Sequence, residues 1–475
     1  MKKLKKSSYK KDGLFLKAIE AFLYLGIIHL SYVISFKFEL LAPYDARNFI
    51  AYHDNAYWFL IGAYVVFIFN SVFKTAKKSL TENIVIMFMS TTMIAVVSMA
   101  IAFMSRGFAL PRTVVFQAFV IQWVLLSLVK CCFVKLVNKI RGTKRMLIVS
   151  EFDRFEEVTR KVLSDKRNAD QIAYFVRPVD GLYLDYIDQV DKILITEDIP
   201  ASLKNDIISH CIVLDKSLYI VPRTFEIAIY NSEIIQISDY LAFRVDTLHL
   251  SVEKQIIKRI VDITISVIGI VLASPVMLVA AIAIIVTDGR PVFFTQERAT
   301  IHNKTFKLVK FRSMVKDAEK DTGAIWAMEN DSRVTKVGKF LRRFWIDELP
   351  QLYNVLKGDM SMVGPRPERP VFIEEFSETI PDFHYRMTVK AGVTGLAQVL
   401  GKYSTSPENK IKFDLMYIRK AGFMYDIKII AETVKKILIG TLKRGENKDL
   451  SYDELLYSNE IEIIASEKTK KFIYK

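Results

Sequence analysis

Hydrophobic residues dominate the first 140 residues in four long stretches that short polar segments separate. The stretches lie near residues 14–36, 56–73, 83–104 and 113–136. Each is about long enough to cross the roughly 30 Å hydrocarbon core of a bilayer as a helix. Lys17 and Glu20 interrupt the first stretch one helical turn apart, so they could pair or extend to the interface. We predict four transmembrane helices in residues 1–140 rather than four buried helices of a soluble protein.

The polar segments around these helices alternate in charge. Lysine and arginine gather in residues 1–11, 74–78 and 139–145, whereas the loops at 37–55 and 105–112 carry fewer of them. Cytoplasmic loops of membrane proteins have an excess of Lys and Arg. The pattern therefore predicts that the N-terminus and residue 145 both lie in the cytoplasm.

Residues 141–250 change to short apolar runs that alternate with amphipathic segments. The runs RMLIVS, QIAYFV, DKILIT and SLYIV have the length and composition of buried strands, and EEVTRKVLSD and ASLKNDIISHC are typical of helices. This alternation predicts a small Rossmann-like α/β domain with a mostly parallel sheet. Its first turn, Ser150–Asp153, has two acids and no glycine, so it lacks the phosphate-binding glycines of a nucleotide site. We expect a structural, regulatory or oligomerisation role.

A further apolar run reaches residue 286 and contains Ser274-Pro275 near its middle. An interior proline removes a backbone hydrogen bond and kinks a helix. Basic residues flank both ends of the run, which suits a return to the same membrane face. We predict a re-entrant membrane helix at about 258–287, which keeps the following residues in the cytoplasm. A plain span with a proline kink is the alternative.

Residues 251–445 contain the candidate chemistry, starting with the adjacent acids Asp347 and Glu348. Apolar positions after Pro350 follow helical spacing, so the acids are predicted to lie at or just before a helix N-terminus. Capping of the helix explains one acid and could explain both. Arg366, however, lies between Pro365 and Pro367, which fix the backbone and preorganise a guanidinium for phosphate oxygens.

Other basic residues precede the acids. Arg342 and Arg343 lie a few residues before them, and Lys310-Phe311-Arg312 alternates as in a strand with both charges on one face. A single basic residue is usually a solvated surface charge, but this combination suits phosphoryl transfer from a diphosphate. A carboxylate can attack phosphorus, and Mg²⁺ needs only one or two carboxylates beside substrate phosphates.

Composition limits the other possibilities. The 475 residues carry a net charge of +15, which suits anionic partners, but they contain no recognisable nucleic-acid-binding motif. Three cysteines and six histidines show no metal-ligand spacing. Residues 446–475 have the composition of a charged tail, loop-like or helical.

The ordered motifs of residues 250–445 resemble those of the bacterial sugar transferase family, the membrane phosphoglycosyl transferases that start capsule, exopolysaccharide or O-antigen synthesis. The motifs are KRIVD (258–262), SP (274–275), QER (296–298), KFRSM (310–314), NDSRVTKVGKFLRR (330–343), IDELPQLYNVLKGDMSMVGPRPE (346–368), GVTGLAQV (392–399) and YDIKII (425–430). The whole chain looks like a long-form member. The fold implied is a four-helix transmembrane bundle, a Rossmann-like α/β domain, and a re-entrant helix with a mainly helical cytoplasmic catalytic domain.

The resemblance implies specific roles. Asp347 would attack the β-phosphorus of a UDP-sugar and expel UMP, and Glu348 would hold Mg²⁺ at the diphosphate. Asp426 would support the site or the substrate. The phosphates would be bound by Lys310, Arg342 and Arg366, with Arg298 and Arg312 as weaker candidates.

The lipid acceptor implied is undecaprenyl phosphate, at the cytoplasmic face of the bacterial inner membrane. Downstream glycosyltransferases would use the product, and a homodimer is plausible. The motifs leave the sugar open and depart from the family at Ala299-Thr300, at Asn303-Lys304 and at Leu400-Gly401-Lys402. Two other functions stay open: a glycosyltransferase that releases UDP, and a non-catalytic scaffold of polysaccharide assembly.

Overall fold

The computed structural model describes residues 8–38, 46–73, 79–105, 110–164, 170–245, 248–316, 318, 331–402, 405–440 and 450–474. The chain forms two compact units. The first comprises Met1–Val221 and Leu450–Lys475, and the second comprises Pro222–Asp449. The basic segments at 1–7 and 74–78, used above to predict membrane orientation, lie outside the described residues.

Helices and strands share the described chain as follows. The helices are α1 (Ser8–Lys37), α2 (Ala46–Phe69), α3 (Leu80–Met104), α4 (Arg112–Arg141), α5 (Phe155–Leu163), α6 (Leu184–Ile187), α7 (Ala201–Val213), α8 (Thr224–Ala228), α9 (Val252–Asp288), α10 (Lys336–Arg343), α11 (Gln351–Lys357), α12 (Pro370–Thr379), α13 (Leu396–Leu400), α14 (Pro407–Lys420), α15 (Phe423–Ile439) and α16 (Tyr452–Ser458). The strands are β1 (Arg145–Val149), β2 (Gln171–Val176), β3 (Lys192–Ile195), β4 (Ser217–Ile220), β5 (Glu233–Ile237), β6 (Tyr240–Arg244), β7 (Phe293–Ala299), β8 (Thr305–Phe311), β9 (Ser361–Val363), β10 (Gly392–Thr394), β11 (Ile461–Ala465) and β12 (Thr469–Tyr474).

Four apolar helices, α1 to α4, form the N-terminal region of the first unit, as the hydrophobic pattern predicts. Their shared core is rich in aromatic side chains, among them Tyr24, Tyr32 and Phe67. Segments of α1, α3 and α4 are long and apolar enough to cross a membrane. Helix α2 has 24 residues but is not in that group, and its first half carries arginine, histidine and aspartate.

Glu20 pairs with a different residue from the one that sequence spacing suggests. Its Oε1 accepts hydrogen bonds from Lys130 Nζ of α4 at 2.6 Å and from the Tyr24 hydroxyl at 2.8 Å. Glu20 and Lys130 are both fully buried, while Lys17 is exposed. A charge inside an apolar bundle needs an opposite charge within reach. The pair therefore ties α1 to α4, and Lys17 remains at the surface.

The α/β part of the first unit contains the four predicted strands in the parallel order β2-β1-β3-β4. At the carboxyl edge of this sheet, the Arg154 guanidinium bonds to Glu157, Glu197 and Asp198. Three acids at the edge where nucleotide phosphates bind in such sheets would repel a phosphate. Residues 222–250, which the sequence grouped with this domain, belong to the second unit.

The C-terminal residues differ from the predicted loop-like or helical tail. Strands β11 and β12 form an antiparallel hairpin, and β12 pairs antiparallel with β2, which extends the sheet to six strands. Phe472 is buried among Phe155 and Phe175, and Ile172 N donates to the Tyr474 hydroxyl at 2.8 Å. Their burial against β2 explains why so charged a segment is ordered.

Helix α9 begins the main part of the second unit. It runs for 37 residues with Pro275 in its interior and is long and apolar enough to cross a membrane. Many of its apolar side chains are exposed, for example Leu272 and Val286. Exposed apolar surface of this extent suits contact with lipid. The predicted re-entry stays a prediction.

Polar side chains near the start of α9 attach it to the rest of the second unit. The Arg259 guanidinium donates to Val355 O at 2.7 Å and to Leu356 O at 2.8 Å, at the end of α11. Asp262 Oδ1 accepts from Ser361 Oγ and from Met362 N. A cation at a helix C-terminus and a carboxylate on a backbone N–H are both stabilising. These contacts fix α9 against α11 and β9.

Candidate active site

The two acids lie in one turn that joins helices α10 and α11. Residues Ile346–Glu348 form a short 3-10 helix, and the side chains of Asp347 and Glu348 are each about 3 % exposed. Trp345 precedes them with a left-handed backbone, φ 60°, which ends α10 and turns the chain. Pro350 stands at the N-cap of α11. The predicted position of the acids, just before a helix, is confirmed.

Two predicted cations converge on one carboxylate oxygen. Lys310 Nζ, from the end of β8, lies 3.4 Å from Glu348 Oε1. Arg366 Nη2, from the loop after β9, lies 3.1 Å from the same atom. Burying a carboxylate is costly unless positive groups compensate. Residues far apart in sequence therefore meet at Glu348.

Arg342 lies on α10, one turn before the acids. Its Nε donates to Ser313 Oγ at 2.8 Å. Its charge also helps to hold the pKa of Asp331 below its usual range, after the larger effect of the hydrogen bond from Arg333. Arg342 is thus fixed at the junction between α10 and the segment that follows β8.

The structure gives Arg312 a packing role. Its Nη2 donates to Asp288 O at 2.6 Å and to Gly289 O at 2.7 Å, and the residue is 6 % exposed. These carbonyls end α9, where a cation is favourable. A contribution of Arg312 to phosphate binding stays a prediction.

Arg298 contacts the loop that carries Arg366. Its Nη1 donates to Pro367 O at 3.2 Å and lies 3.8 Å from Glu368 Oε2, and its Nη2 donates to Gln296. These contacts place its guanidinium against the loop backbone. The predicted contact with substrate phosphate stays a prediction.

Asp426, on α15, is buried beside α9. Its Oδ2 is 2.7 Å from Lys258 Nζ, and its Oδ1 accepts from the Tyr417 hydroxyl at 3.0 Å. Burial raises the pKa of Asp426, and Lys258 and the Tyr417 hydroxyl partly offset that effect. Asp426 thereby connects the membrane helix to the helices around the site.

Sequence reasoning assigned no role to Arg386 or Asp414. Arg386 lies in the 3-10 segment Pro381–Thr388, and its Nη2 is 3.1 Å from Asp414 Oδ2 on α14. Burial raises the pKa of Asp414 to about 6, against the opposing effect of Arg386. Both residues look like isolated charges of ordinary helices in the sequence, so no local signal could have found them.

The donor set suits a metal ion that takes most of its ligands from substrate. No group of three or more His, Cys, Asp or Glu side chains within the described ranges could hold a metal. Mg²⁺ needs one or two carboxylates, with phosphate oxygens and waters in its other positions. Asp347 and Glu348, adjacent and buried, fit this requirement.

Comparison with known proteins assigns the family. The family model described as bacterial sugar transferase matches residues 253–440. A UDP-N-acetylgalactosamine-undecaprenyl-phosphate N-acetylgalactosaminephosphotransferase of Aeromonas hydrophila is 42 % identical over 219 residues, 43 % of this chain and 51 % of the relative. A candidate undecaprenyl-phosphate N-acetylgalactosaminyl 1-phosphate transferase of Bacillus subtilis is 55 % identical over 131 residues, 28 % of this chain and 73 % of the relative.

A third relative has a different sugar in its name. A UDP-glucose:undecaprenyl-phosphate glucose-1-phosphate transferase of Klebsiella pneumoniae is 40 % identical over 225 residues, 46 % of this chain and 48 % of the relative. The matches to the Aeromonas and Klebsiella proteins span about half of those relatives. The chain belongs to the bacterial sugar transferase family, as its motifs predict.

Proposed function

We propose that the protein is a membrane-bound phosphoglycosyl transferase. It transfers a sugar-1-phosphate from a UDP-sugar to undecaprenyl phosphate and releases UMP. The observation that carries the proposal is the buried pair Asp347 and Glu348, with Lys310 and Arg366 on Glu348. The names of the relatives support the substrate classes.

In the first step, an Asp347 carboxylate oxygen attacks the β-phosphorus of the UDP-sugar. The bond between that phosphorus and the bridging oxygen breaks, and UMP leaves with the bridging oxygen. The product is a sugar phosphoryl group on Asp347, an acyl phosphate that splits one hard step into two. Asp347 suits this role because a short, well-packed turn fixes its backbone.

The basic residues neutralise the diphosphate during this step. Lys310 and Arg366 share Glu348 Oε1 and could exchange it for phosphate oxygens without leaving the site. Arg342 would be the third phosphate ligand. Preorganised positive groups that face developing charge are a large part of phosphoryl-transfer catalysis.

Glu348 would hold Mg²⁺, with Asp347 next to it. When bound, the ion neutralises diphosphate charge and supports departure of UMP. If Glu348 exchanged its cationic side-chain partners for the metal ion, its buried charge would stay compensated in both states.

In the second step, an oxygen of undecaprenyl phosphate attacks the phosphorus on Asp347. The acyl phosphate bond breaks, Asp347 is regenerated, and an undecaprenyl-diphosphate-sugar forms. This route requires the acids to lie at the level of lipid phosphates on the cytoplasmic face of the inner membrane. We propose that α9 re-enters the membrane and keeps them there.

Strand pairing supports this re-entry. Strand β12 pairs with β2, so both lie on the same side of the membrane. In the described chain between them, α9 is the only helix that is long and apolar enough to cross. A single crossing by α9 would place β12 on the opposite side from β2. A helix that bends near Pro275 and returns avoids that conflict.

The test is nucleotide release by purified full-length protein in detergent with Mg²⁺ and undecaprenyl phosphate. UDP-N-acetylgalactosamine and UDP-glucose form the donor panel, because the names of the relatives include these sugars. The proposal expects UMP from at least one donor, and its loss in Asp347→Asn. UDP as the product would indicate a glycosyltransferase. No nucleotide from any donor would favour a scaffold of polysaccharide assembly.

A further inference from the structure

Hydrogen bonds to its backbone carbonyl groups hold the loop that carries Arg366. Four consecutive backbone oxygens, from Pro365 to Glu368, each accept a hydrogen bond. Their donors are, in order, Gly392 N at 2.8 Å, Arg386 Nη2 at 2.8 Å, Arg298 Nη1 at 3.2 Å and Ala299 N at 3.0 Å. Loops usually satisfy part of their backbone with water, so this fixation is unusual.

Two of the four donors are guanidinium groups from separate elements. Arg298 belongs to β7, and Arg386 belongs to the 3-10 segment Pro381–Thr388. Hydrogen bonds from charged groups are stronger than those between neutral groups. Together with the prolines on both sides, these bonds fix the backbone at Arg366 and the direction of its side chain.

Arg386 is itself held in place. Its side chain is 5 % exposed, its Nη2 is 3.1 Å from Asp414 Oδ2, and its Nη1 is 3.7 Å from Glu368 Oε1. One guanidinium thus joins the Arg366 carbonyl to α14 and to Glu368. Lysine, a point donor on a flexible stem, cannot reproduce this planar fork.

We propose that Arg386 is a positioning residue for Arg366. Arg386 fixes the Arg366 backbone carbonyl, Asp414 orients Arg386, and the Arg366 guanidinium is thereby aimed at the acid turn. Arg298 fixes the neighbouring carbonyl, Pro367 O, with one hydrogen bond. The inference rests on the proposed function, because it assigns to Arg366 the binding of substrate phosphate.

A double-mutant cycle tests this role. Arg386→Lys, Arg366→Ala and the double variant are compared by kcat/KM for UMP release, with KM for the UDP-sugar determined separately. A misplacement of about 1 Å costs up to roughly 100-fold in rate, so Arg386→Lys should lower kcat/KM by about 10- to 100-fold. In the Arg366→Ala background the same change should cost less than about twofold, because there is no guanidinium left to aim.

Arg419→Lys is the matched control. The Arg419 guanidinium, on α14, also donates to a backbone carbonyl, Tyr230 O at 3.2 Å, and to Ser232 Oγ at 2.8 Å. The Arg419→Lys variant should have a kcat/KM within about twofold of wild type. If Arg386→Lys lowers the melting temperature below the assay range, Arg298→Lys replaces it in the same cycle. That change removes the guanidinium that donates to Pro367 O and to Gln296 and that lies near Glu368.

The outcomes separate the two proposals. If Arg386→Lys lowers kcat/KM equally in the wild-type and Arg366→Ala proteins, Arg386 does not act through Arg366. An unchanged kcat/KM of Arg386→Lys would also contradict the positioning role. No UMP from wild-type protein and from Arg419→Lys with any donor would overturn the proposed function, and the positioning role with it.

Discussion

At the scale of single residues, Glu348 is both a buried residue of the fold and a member of the candidate active site. It is 3 % exposed, and Lys310 and Arg366 both contact its Oε1. Without those cations a buried carboxylate would destabilise the fold. With them, the charge of Glu348 is compensated inside the fold. In the proposed mechanism the same two cations would bind the diphosphate, so Glu348 would gather them before substrate binds.

Arg312 offers a test of packing against substrate binding. Arg312→Met removes its hydrogen bonds to Asp288 O and Gly289 O, and bonds to charged groups contribute about 1.5–3 kcal/mol each. We expect a melting temperature lower by several degrees in detergent and an unchanged KM for the UDP-sugar. Lys307→Met, at an exposed position of β8, is the control. A raised KM with an unchanged melting temperature would instead place Arg312 on the phosphates.

The raised pKa of Asp414 predicts that the stability of the folded protein depends on pH. Its pKa is raised to about 6, so its ionisation stabilises the unfolded chain relative to the folded one. The groups that face it are Arg386, Glu368 and Lys410. Its protonation contributes stability that is complete below the unfolded pKa of about 4 and is lost as pH rises through 6.

Thermal denaturation of wild type and Asp414→Asn across pH 4 to 7 measures this effect. The variant has no such proton to lose. Its melting temperature relative to wild type should therefore rise between about pH 4 and 6 and then stay level. A difference that does not rise with pH in that window would mean that the Asp414 pKa is not raised, with Arg386 offsetting the effect of burial.

At the scale of elements, the sequence predicts structure that depends on local patterns better than it predicts contacts between distant segments. The strands of the α/β domain and the acid turn before α11 could be predicted because their patterns are local. The pairing of Glu20 with Lys130 and the contacts of Arg386 join residues distant in sequence. The hairpin β11–β12 did show alternation in IEIIA, but Lys470 and Lys471 gave it the composition of a solvated tail.

Substitution of Phe472 tests whether the β11–β12 hairpin contributes to the stability of the sheet. Phe472→Ala removes a buried ring at β12, and such changes cost about 3–5 kcal/mol. Hydrogen exchange followed by mass spectrometry should show faster exchange in β2, which pairs with β12, and unchanged exchange in β9 of the second unit. Tyr457→Ala, at an 87 % exposed position, should change neither. Unchanged exchange in β2 after Phe472→Ala would show that the hairpin does not contribute to the sheet.

At the scale of the whole molecule, the chain leaves the first unit at Val221 and returns to it at Leu450. Under the proposed topology, the pairing of β12 with β2 puts both strands on one side of the membrane. In the described chain between them, α9 would then have to turn back rather than span. The pairing of two strands that are distant from α9 in sequence thus limits the topology that α9 can have.

Cysteine labelling tests the topology of α9. Single cysteines replace Glu253 in the first turn of α9 and Arg290 after its end, in a protein with Cys131, Cys132 and Cys211 changed to serine. A membrane-impermeant maleimide should label both positions in inside-out vesicles and neither in intact spheroplasts. A cysteine at exposed Phe38, in a loop predicted to lie outside, is the control for the opposite pattern. Labelling of residues 253 and 290 from opposite faces would mean a full span.

The most direct test of the account is the covalent state of Asp347. Full-length protein is incubated with Mg²⁺ and a UDP-sugar carrying ³²P at the β-phosphate, in the absence of lipid acceptor. We expect protein-bound label and an equal amount of UMP, no label on Asp347→Asn, and transfer of the label to lipid when undecaprenyl phosphate is added. UMP formed only when the acceptor is present, with no labelled protein at any time, would contradict attack by Asp347.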